Sequence, residues 1–360
     1  MSGLPSRWGV PRLGLGTWAA GGTGWGPGAS RRERLKLIER ALDRGVSVFD
    51  TAPAYGDAEE LLGRALMGDR DRVDIVTKVG PRDDPRRSLE ASLRRLRTDR
   101  VDLLLLHECL DGFERQLQVL AALREEGKAG AVGVANASPD QLTRALELVP
   151  VAAYQGPYNL VDRDAERWHL PFCRERGLAF MAYRPLASGA LAKTLDEPPG
   201  FEEGDHRRRI YWFRGRELER RSEVARRLSK LAEEGDTTLP ALSLGWVLAR
   251  AGVSVALAGA RTGDQVDQNV EAATRPLGID VVDGVDRVVE DVFRPPRATR
   301  EALAAEWEPR ERFIVDRLDG TRTFEDIAAE WSESEGSQMI AAQVKVFSDD
   351  LLERGLVAPR

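Results

Sequence analysis

Short apolar runs alternate along the chain with longer stretches of helical spacing. Residues 13–17, 46–52, 73–79, 101–107, 131–136, 152–158, 178–185 and 253–259 read as strands. Several are apolar at consecutive positions, Leu103 to Leu106 most plainly. Strands covered on both faces have that pattern, and a parallel sheet flanked by helices supplies the cover. Between the runs, residues 32–43 set Leu35, Leu37, Ile38, Ala41 and Leu42 on one side of a helix. The same spacing predicts helices over 57–67, 85–96, 113–126, 138–148 and 164–176. Ser138-Pro139 reads as an N-cap followed by proline at the first helical position, and Gly45, Gly127 and Gly177 stand where helices should stop.

Strands alternating with helices close into a barrel or open into a doubly wound sheet. An open dinucleotide-binding sheet carries G-x-G-x-x-G after its first strand. Here that turn is Gly14-Leu15-Gly16-Thr17-Trp18, with a different spacing. Strand number and chain length favour the (β/α)8 TIM barrel, whose active sites lie at the carboxyl ends of the strands. The long connection between Pro185 and Leu239 would rise from that face, as a functional loop or as extra helix.

The pattern changes after Phe293. Arg294-Pro295-Pro296-Arg297 reads as a linker, dividing the chain into a barrel over 1–296 and a C-terminal module over 297–360. Residues 301–360 carry 14 acidic and 7 basic side chains, whereas the rest of the chain is close to neutral. The module reads as mainly helical and winged-helix-like. Thr323 caps a helix whose apolar face is Phe324, Ile327 and Ala328; Val344, Phe347, Leu351 and Leu352 continue the periodicity, and Gly355 ends it.

Composition narrows the function classes. Hydrophobic residues at 42% and charged residues at 31% are an ordinary soluble balance with ample material for a core. A net charge of −6 disfavours nucleic acid and anionic membrane as partners. No apolar stretch approaches the roughly 18 residues of a membrane span, and the first twelve residues do not resemble a signal peptide. Cys109 and Cys173 form neither a disulfide framework nor a metal-ligand spacing, so no metal site is expected and a cytoplasmic location is.

Chemistry-bearing residues fall at successive strand ends. Asp50 ends the second predicted strand and Tyr55 follows in the loop; Lys78 stands near the end of the third and His107 ends the fourth. On a barrel these ends share one rim. Reduction of a carbonyl by hydride leaves an alkoxide that needs a proton. A tyrosine, ordinarily of pKa ~10, supplies it if an ammonium such as Lys78 draws that value toward neutrality. Asp50 would hold Lys78 charged, and His107 would orient the carbonyl. Taken singly, a lysine at a strand end is usually an ion-pair partner and a buried histidine a satisfied core residue; their convergence points to a site.

The stretch Asp50-Thr51-Ala52-Pro53-Ala54-Tyr55-Gly56, with Glu59-Glu60-Leu61-Leu62-Gly63, closely resembles the aldo-keto reductase signature. Thr77-Lys78, Leu106-His107, Val132-Gly133-Val134-Ala135-Asn136, Tyr154-Gln155, Tyr158-Asn159 and Tyr183-Arg184-Pro185-Leu186 extend the resemblance over residues 9–293. It implies Tyr55 as general acid, with Asp50, Lys78 and His107 in the roles above. It also implies a nicotinamide cofactor. Asn136 and Gln155 would meet its carboxamide and Tyr183 its ring. Gly259, Ala260 and Arg261 would approach the adenosine phosphate, with Gln265 and Asn269 at the adenine. Arg261 would pair with a 2′-phosphate, which favours NADPH over NADH. Arg184 stands where many relatives have serine, and could bind cofactor, bind an acidic substrate or pair on the rim. Ala135 likewise replaces a frequent serine, and Glu108 follows His107.

The expected function is NADPH-dependent reduction of an aldehyde, ketone or keto-sugar, with a specialised biosynthetic pathway as one setting. Loops 18–30, 109–113 and 188–216 would select the substrate, and they include Trp25, Trp212, Phe213 and Arg214. The alternative is a non-catalytic or regulatory barrel that binds cofactor and engages a partner through the C-terminal module. Leu318-Asp319-Gly320-Thr321-Arg322-Thr323, Ile327-Ala328 and Phe347 through Val357 resemble PqqD-like peptide-recognition domains, which implies a peptide or carrier partner. A helical extension capping the barrel and a DNA-binding winged helix are the other readings, the last opposed by the acidic charge.

Overall fold

The computed structural model describes residues 12–26, 28–195, 197–293, 314, 324–335 and 344. Eight parallel strands close on themselves in sequence order: β1 Leu13–Gly16, β2 Val48–Asp50, β3 Asp74–Val79, β4 Val101–Leu106, β5 Ala129–Ala135, β6 Val151–Pro157, β7 Ala179–Tyr183 and β8 Val253–Gly259. The closing pair sets Leu13 beside Ala256 and Gly16 beside Gly259. The barrel is therefore the predicted one, with every strand placed within a few residues.

Alternation along each strand decides what faces inward. Val48, Val76, Leu103, Leu105, Ala131, Ala135, Ala153, Ala179, Met181, Val255 and Leu257 fill the interior as one buried cluster. Intervening positions such as Phe49, Ile75, Leu104, Leu106, Val132 and Phe180 join a second cluster between sheet and helices. Continuing the inward parity reaches Asp50 two residues beyond Val48, Lys78 beyond Val76, His107 beyond Leu105, Gln155 beyond Ala153 and Tyr183 beyond Met181. One geometric rule thus aims all of these side chains into the carboxyl-end mouth.

The surrounding helices start where their caps dictate. α1 Arg31–Asp43 opens on a capping box of Ser30 and Glu33, and α2 is Ala58–Ala65. α3 Pro85–Leu96 is capped by Asp84. α4 is Phe113–Glu125, and α5 Pro139–Leu148 opens on Ser138, which forms a capping box with Gln141. The predicted helix over 164–176 divides into a 3-10 turn at Asp164–Glu166 and α6 His169–Arg176. Pro171 explains the break. It lacks the N–H that would continue an earlier helix, but is tolerated in a first turn, where N–H groups have no intrahelical partner.

The long connection, left open as functional loop or extra helix, holds α7 Gly215–Glu234, and α8 Leu239–Ala249 begins where expected; α9 Gly263–Thr274 and α10 Ile279–Phe293 were not predicted as helices. Asp286 of α10 anchors it to the barrel, accepting from Arg163 at 2.7 Å, Arg250 at 2.7 Å and Trp246 Nε1 at 3.0 Å. In the C-terminal segment, α11 Phe324–Glu335 includes Ile327 and Ala328, which are buried with Ile314 and Val344. That agrees with the predicted apolar face at Ile327 and Ala328. The linker 294–297 and the stretches 318–323 and 347–357 that carry the PqqD-like resemblance lie outside the described residues. Among the described residues no helix is long and apolar enough to cross a membrane.

Candidate active site

Lys78 is buried at the centre of the mouth. Its ammonium donates to Asp50 Oδ1 at 2.8 Å, Asp50 Oδ2 at 2.7 Å and the Thr51 carbonyl at 2.9 Å. Gln155 Nε2 donates to Asp50 Oδ2 at 2.7 Å, and Thr17 Oγ1 to the Asp50 carbonyl at 2.9 Å. Behind this layer, Thr77 Oγ1 donates to buried Glu59 at 2.6 Å, which also accepts from Arg95 at 2.7 Å. Burial opposes the Lys78 charge, but Asp50 and then Tyr55 outweigh it, and its pKa stands above the ordinary lysine value.

Tyr55 lies over this pair, its ring centroid 5.0 Å from Lys78 Nζ. Close backbone approach sets its position. A Cβ on Gly21 would fall 1.8 Å from the Tyr55 carbonyl oxygen, and one on Gly56 2.3 Å from the Gly21 oxygen. Gly56 also takes φ 58°, a left-handed conformation that glycine adopts at little cost. Burial raises the Tyr55 hydroxyl above its usual value of 10; Lys78 pulls it down without prevailing. The expectation of a tyrosine tuned toward neutrality is corrected accordingly: Tyr55 is a protonated phenol across the neutral range. His107 meets Tyr55 edge to face, with ring centroids 6.0 Å apart. Burial, with the Lys78 charge added, lowers its imidazole to about 3, so it is neutral and keeps one ring N–H to donate.

The residues assigned to a cofactor by resemblance form two groups. In the first, Asn136 takes φ 53°, accepts from the Tyr183 hydroxyl at 2.7 Å and donates to the His107 carbonyl at 3.0 Å. Arg184 lies over Tyr183, 5.5 Å from its ring centroid, and 5.9 Å from that of Trp212. In the second, at the end of β8, the Arg261 N–H donates to Gln265 Oε1 at 2.7 Å and Asn269 Nδ2 to the Gly259 carbonyl at 3.4 Å. Thr262 caps α9 there. Gln155 joins both sets: its side chain donates to Asp50, and its carbonyl accepts from the Asn136 backbone N–H at 3.1 Å.

A model of the Aldo/keto reductase family matches residues 12–290. The chain belongs to that family. It is 32% identical over 305 residues to aldo-keto reductase YhdN of Bacillus subtilis, spanning 79% of this chain and 92% of that protein. It is 30% identical over 294 residues to the NADH-specific methylglyoxal reductase of Escherichia coli, spanning 73% and 90%. Among solved structures, an aldo/keto reductase from Klebsiella pneumoniae in complex with NADP and acetate superposes with a TM-score of 0.63 at 30% identity, covering 81% of this chain and 94% of that one.

This aldo/keto reductase also carries a feature that the strand-end reasoning missed. Trp18, Trp25 and His206 wall the mouth beside Tyr55. Trp18 stacks on Tyr55 with centroids 5.8 Å apart and lies 4.2 Å from the His206 ring, which is 4.4 Å from Trp25. His206 clips the two rim loops together: its backbone N–H donates to the Gly24 carbonyl at 2.9 Å and its Nδ1 does so at 2.5 Å. The aromatic content of the loops was legible, but His206 opens the run His206-Arg207-Arg208-Arg209, which reads as a solvated charge cluster.

The two half-buried histidines of the mouth make stability pH-dependent in a definite direction. Their folded pKa values, about 3 for His107 and about 4 for His206, lie below the ordinary 6.5. The unfolded chain therefore takes up protons first as pH falls, and stability present above 6.5 is lost toward 4 and below. His107→Gln should flatten the decline of the melting temperature between pH 6.5 and 4; an unchanged slope would show that His107 is not the depressed group.

Proposed function

We propose that the chain is an NADPH-dependent reductase of aldehydes or ketones, keto-sugars included, and that Tyr55 is its proton donor. The observation that carries this reading is the buried Asp50–Lys78 pair beneath a protonated tyrosine and a neutral histidine. The reduced nicotinamide, when bound, supplies the hydride. As the carbonyl carbon gains it, the carbonyl oxygen takes the Tyr55 proton, giving the alcohol and a phenolate. Lys78 compensates that phenolate, and Asp50 keeps Lys78 charged and in place. His107 donates its N–H to the carbonyl oxygen and sets the angle of approach.

The donor set fits a dinucleotide. Asn136 and Tyr183 offer an amide and a ring face beside His107, and Gln155 adds a second amide. Ser188 Oγ is buried without a partner among the described residues, in a turn where Arg184, Ala187, Ser188 and Gly189 all take positive φ. Such a turn turns its polar groups toward an anion. Arg261 favours the 2′-phosphate form. That preference is specific to this chain, because one relative is named as NADH-specific and another is seen with NADP. The free, buried thiols of Cys109 and Cys173 suit a reducing, cytoplasmic setting. The boundary near 296 rests on the Pro-Pro linker and the charge asymmetry. Peptide or carrier recognition by residues 297–360 rests on the sequence motif alone.

Tyr55→Phe should lower turnover about 10²–10⁴-fold, the usual contribution of a positioned acid, while NADPH still quenches tryptophan fluorescence. Retained turnover would overturn the mechanism. Arg261→Ala should weaken NADPH about tenfold or more and leave NADH unchanged, since only the phosphate contact is lost. Equal losses for both cofactors would remove Arg261 from that role. A chain ending at Pro296 should keep its turnover; loss of activity in a folded truncation would make residues 297–360 part of the catalytic unit.

A further inference from the structure

Away from the mouth, on the outer ring of helices, α2 and α3 flank a solvent-open cavity of about 380 Å³. Its walls include Arg31, Glu60, Arg64, Arg94, Arg95 and Arg97. Two of these guanidinium groups are held by carboxylates: Arg31 donates to Glu60 at 2.7 Å and Arg95 to Glu59 at 2.7 Å. Arg64, Arg94 and Arg97 form no ion pair among the described residues. Glu90, whose charge Arg94 feels, is engaged by Lys128 at 2.9 Å. Some surface arginines are paired, as in Arg40 with Asp267 at 2.8 Å and Arg227 with Glu223 at 2.7 Å. Here three guanidinium groups without an ion pair among the described residues line one concavity of a chain whose net charge is −6.

Arg97 adds an independent observation. It ends α3 with φ 55°, the left-handed conformation at which glycine is the common residue. The chain places an arginine there, and Nη1 donates to the Met67 sulphur at 3.3 Å. Clustered like charges and a left-handed arginine both act against stability unless something else is gained.

We propose that this cavity is a binding site for a compact polyanion carrying at least two phosphate or carboxylate groups. Guanidinium forks pair with such oxyanions through parallel hydrogen bonds. The volume lies at the small end of the range of small-molecule sites, in a cavity open to solvent. Arg31 and Arg95, already oriented by Glu60 and Glu59, form preset walls, and Arg64, Arg94 and Arg97 supply the uncommitted charge. The site is distinct from the phosphate contact proposed for Arg261, which stands on the barrel rim after β8.

The test is calorimetric titration of the full-length protein, saturated with NADPH so that the mouth is filled, with pyrophosphate and citrate as separate probes at low salt. Saturable binding is expected for at least one probe, and the tighter one identifies phosphate or carboxylate as the ligand class. Arg94→Ala/Arg97→Ala should weaken it about tenfold or more, with an unchanged melting temperature, and Arg94→Lys/Arg97→Lys should weaken it less. Arg261→Ala should leave it intact. No saturable binding, binding unaffected by the double alanine variant, or binding lost in Arg261→Ala would each overturn the proposal.

Discussion

The barrel mouth is organised around keeping one lysine charged in a place that water scarcely reaches. An isolated ammonium inside a protein is costly enough that it would normally shed its proton. Lys78 retains it because Asp50 receives it through both carboxylate oxygens and the Thr51 carbonyl takes a third hydrogen bond. Asp50 in turn is held by Gln155. A buried pair of this kind contributes little net stability, but losing one partner costs about 3–5 kcal/mol, since the other charge is then stranded. The arrangement is accordingly hard to vary piecemeal. Its consequence for the proposed mechanism is electrostatic: a fixed positive charge stands under Tyr55, where it favours phenolate over phenol.

That charge is useful only if Tyr55 cannot drift. Gly21 and Gly56 bring the loops after β1 and β2 into backbone contact, and the Asp57 N–H closes the contact on the Gly21 carbonyl at 3.2 Å. Arg34 reinforces it, pairing with Asp57 and donating to the Ala20 carbonyl at 2.9 Å. A side chain at either glycine would collide with backbone, which cannot swing aside as a long side chain can. Orientation of Tyr55 thus rests on missing atoms as much as on bonds.

Much of this was legible beforehand because the relevant signals are local and periodic. Strand ends follow from apolar runs, so Asp50, Lys78 and His107 could be assigned to one rim before any distance was known, while Gln155 was reached only through the family resemblance. The parts that escaped are those whose signals compete. α7 buries Leu218, Val224, Ala225, Leu228 and Ala232 at helical spacing, but among so many arginines and glutamates that its bounds within the long connection do not stand out. Pro171 divides a helix whose apolar spacing runs on through it. His206 acts through a contact with Gly24, 182 residues away in the chain, and no local pattern reports such a pairing. The direction of the Tyr55 shift required weighing burial against Lys78, which sequence spacing cannot do.

The floor of the mouth is largely satisfied, Thr51 Oγ1 excepted, whereas its wall gathers several polar groups unpartnered among the described residues. On the floor, Lys78 and Asp50 have their hydrogen bonds met by the chain itself. On the wall, Ser188 Oγ, His206 Nε2, Trp25 Nε1 and Trp212 Nε1 are buried without partners among the described residues. Each such group costs about 1–3 kcal/mol when left unpaired. A chain tolerates that concentration most readily where binding a ligand rearranges or satisfies the groups. The His206–Gly24 contact joins two of the loops that bear these groups, and the first of them is tied to the Tyr55 loop through the Trp18 stack and the Asp57–Gly21 bond, so the wall is coupled to the position of Tyr55.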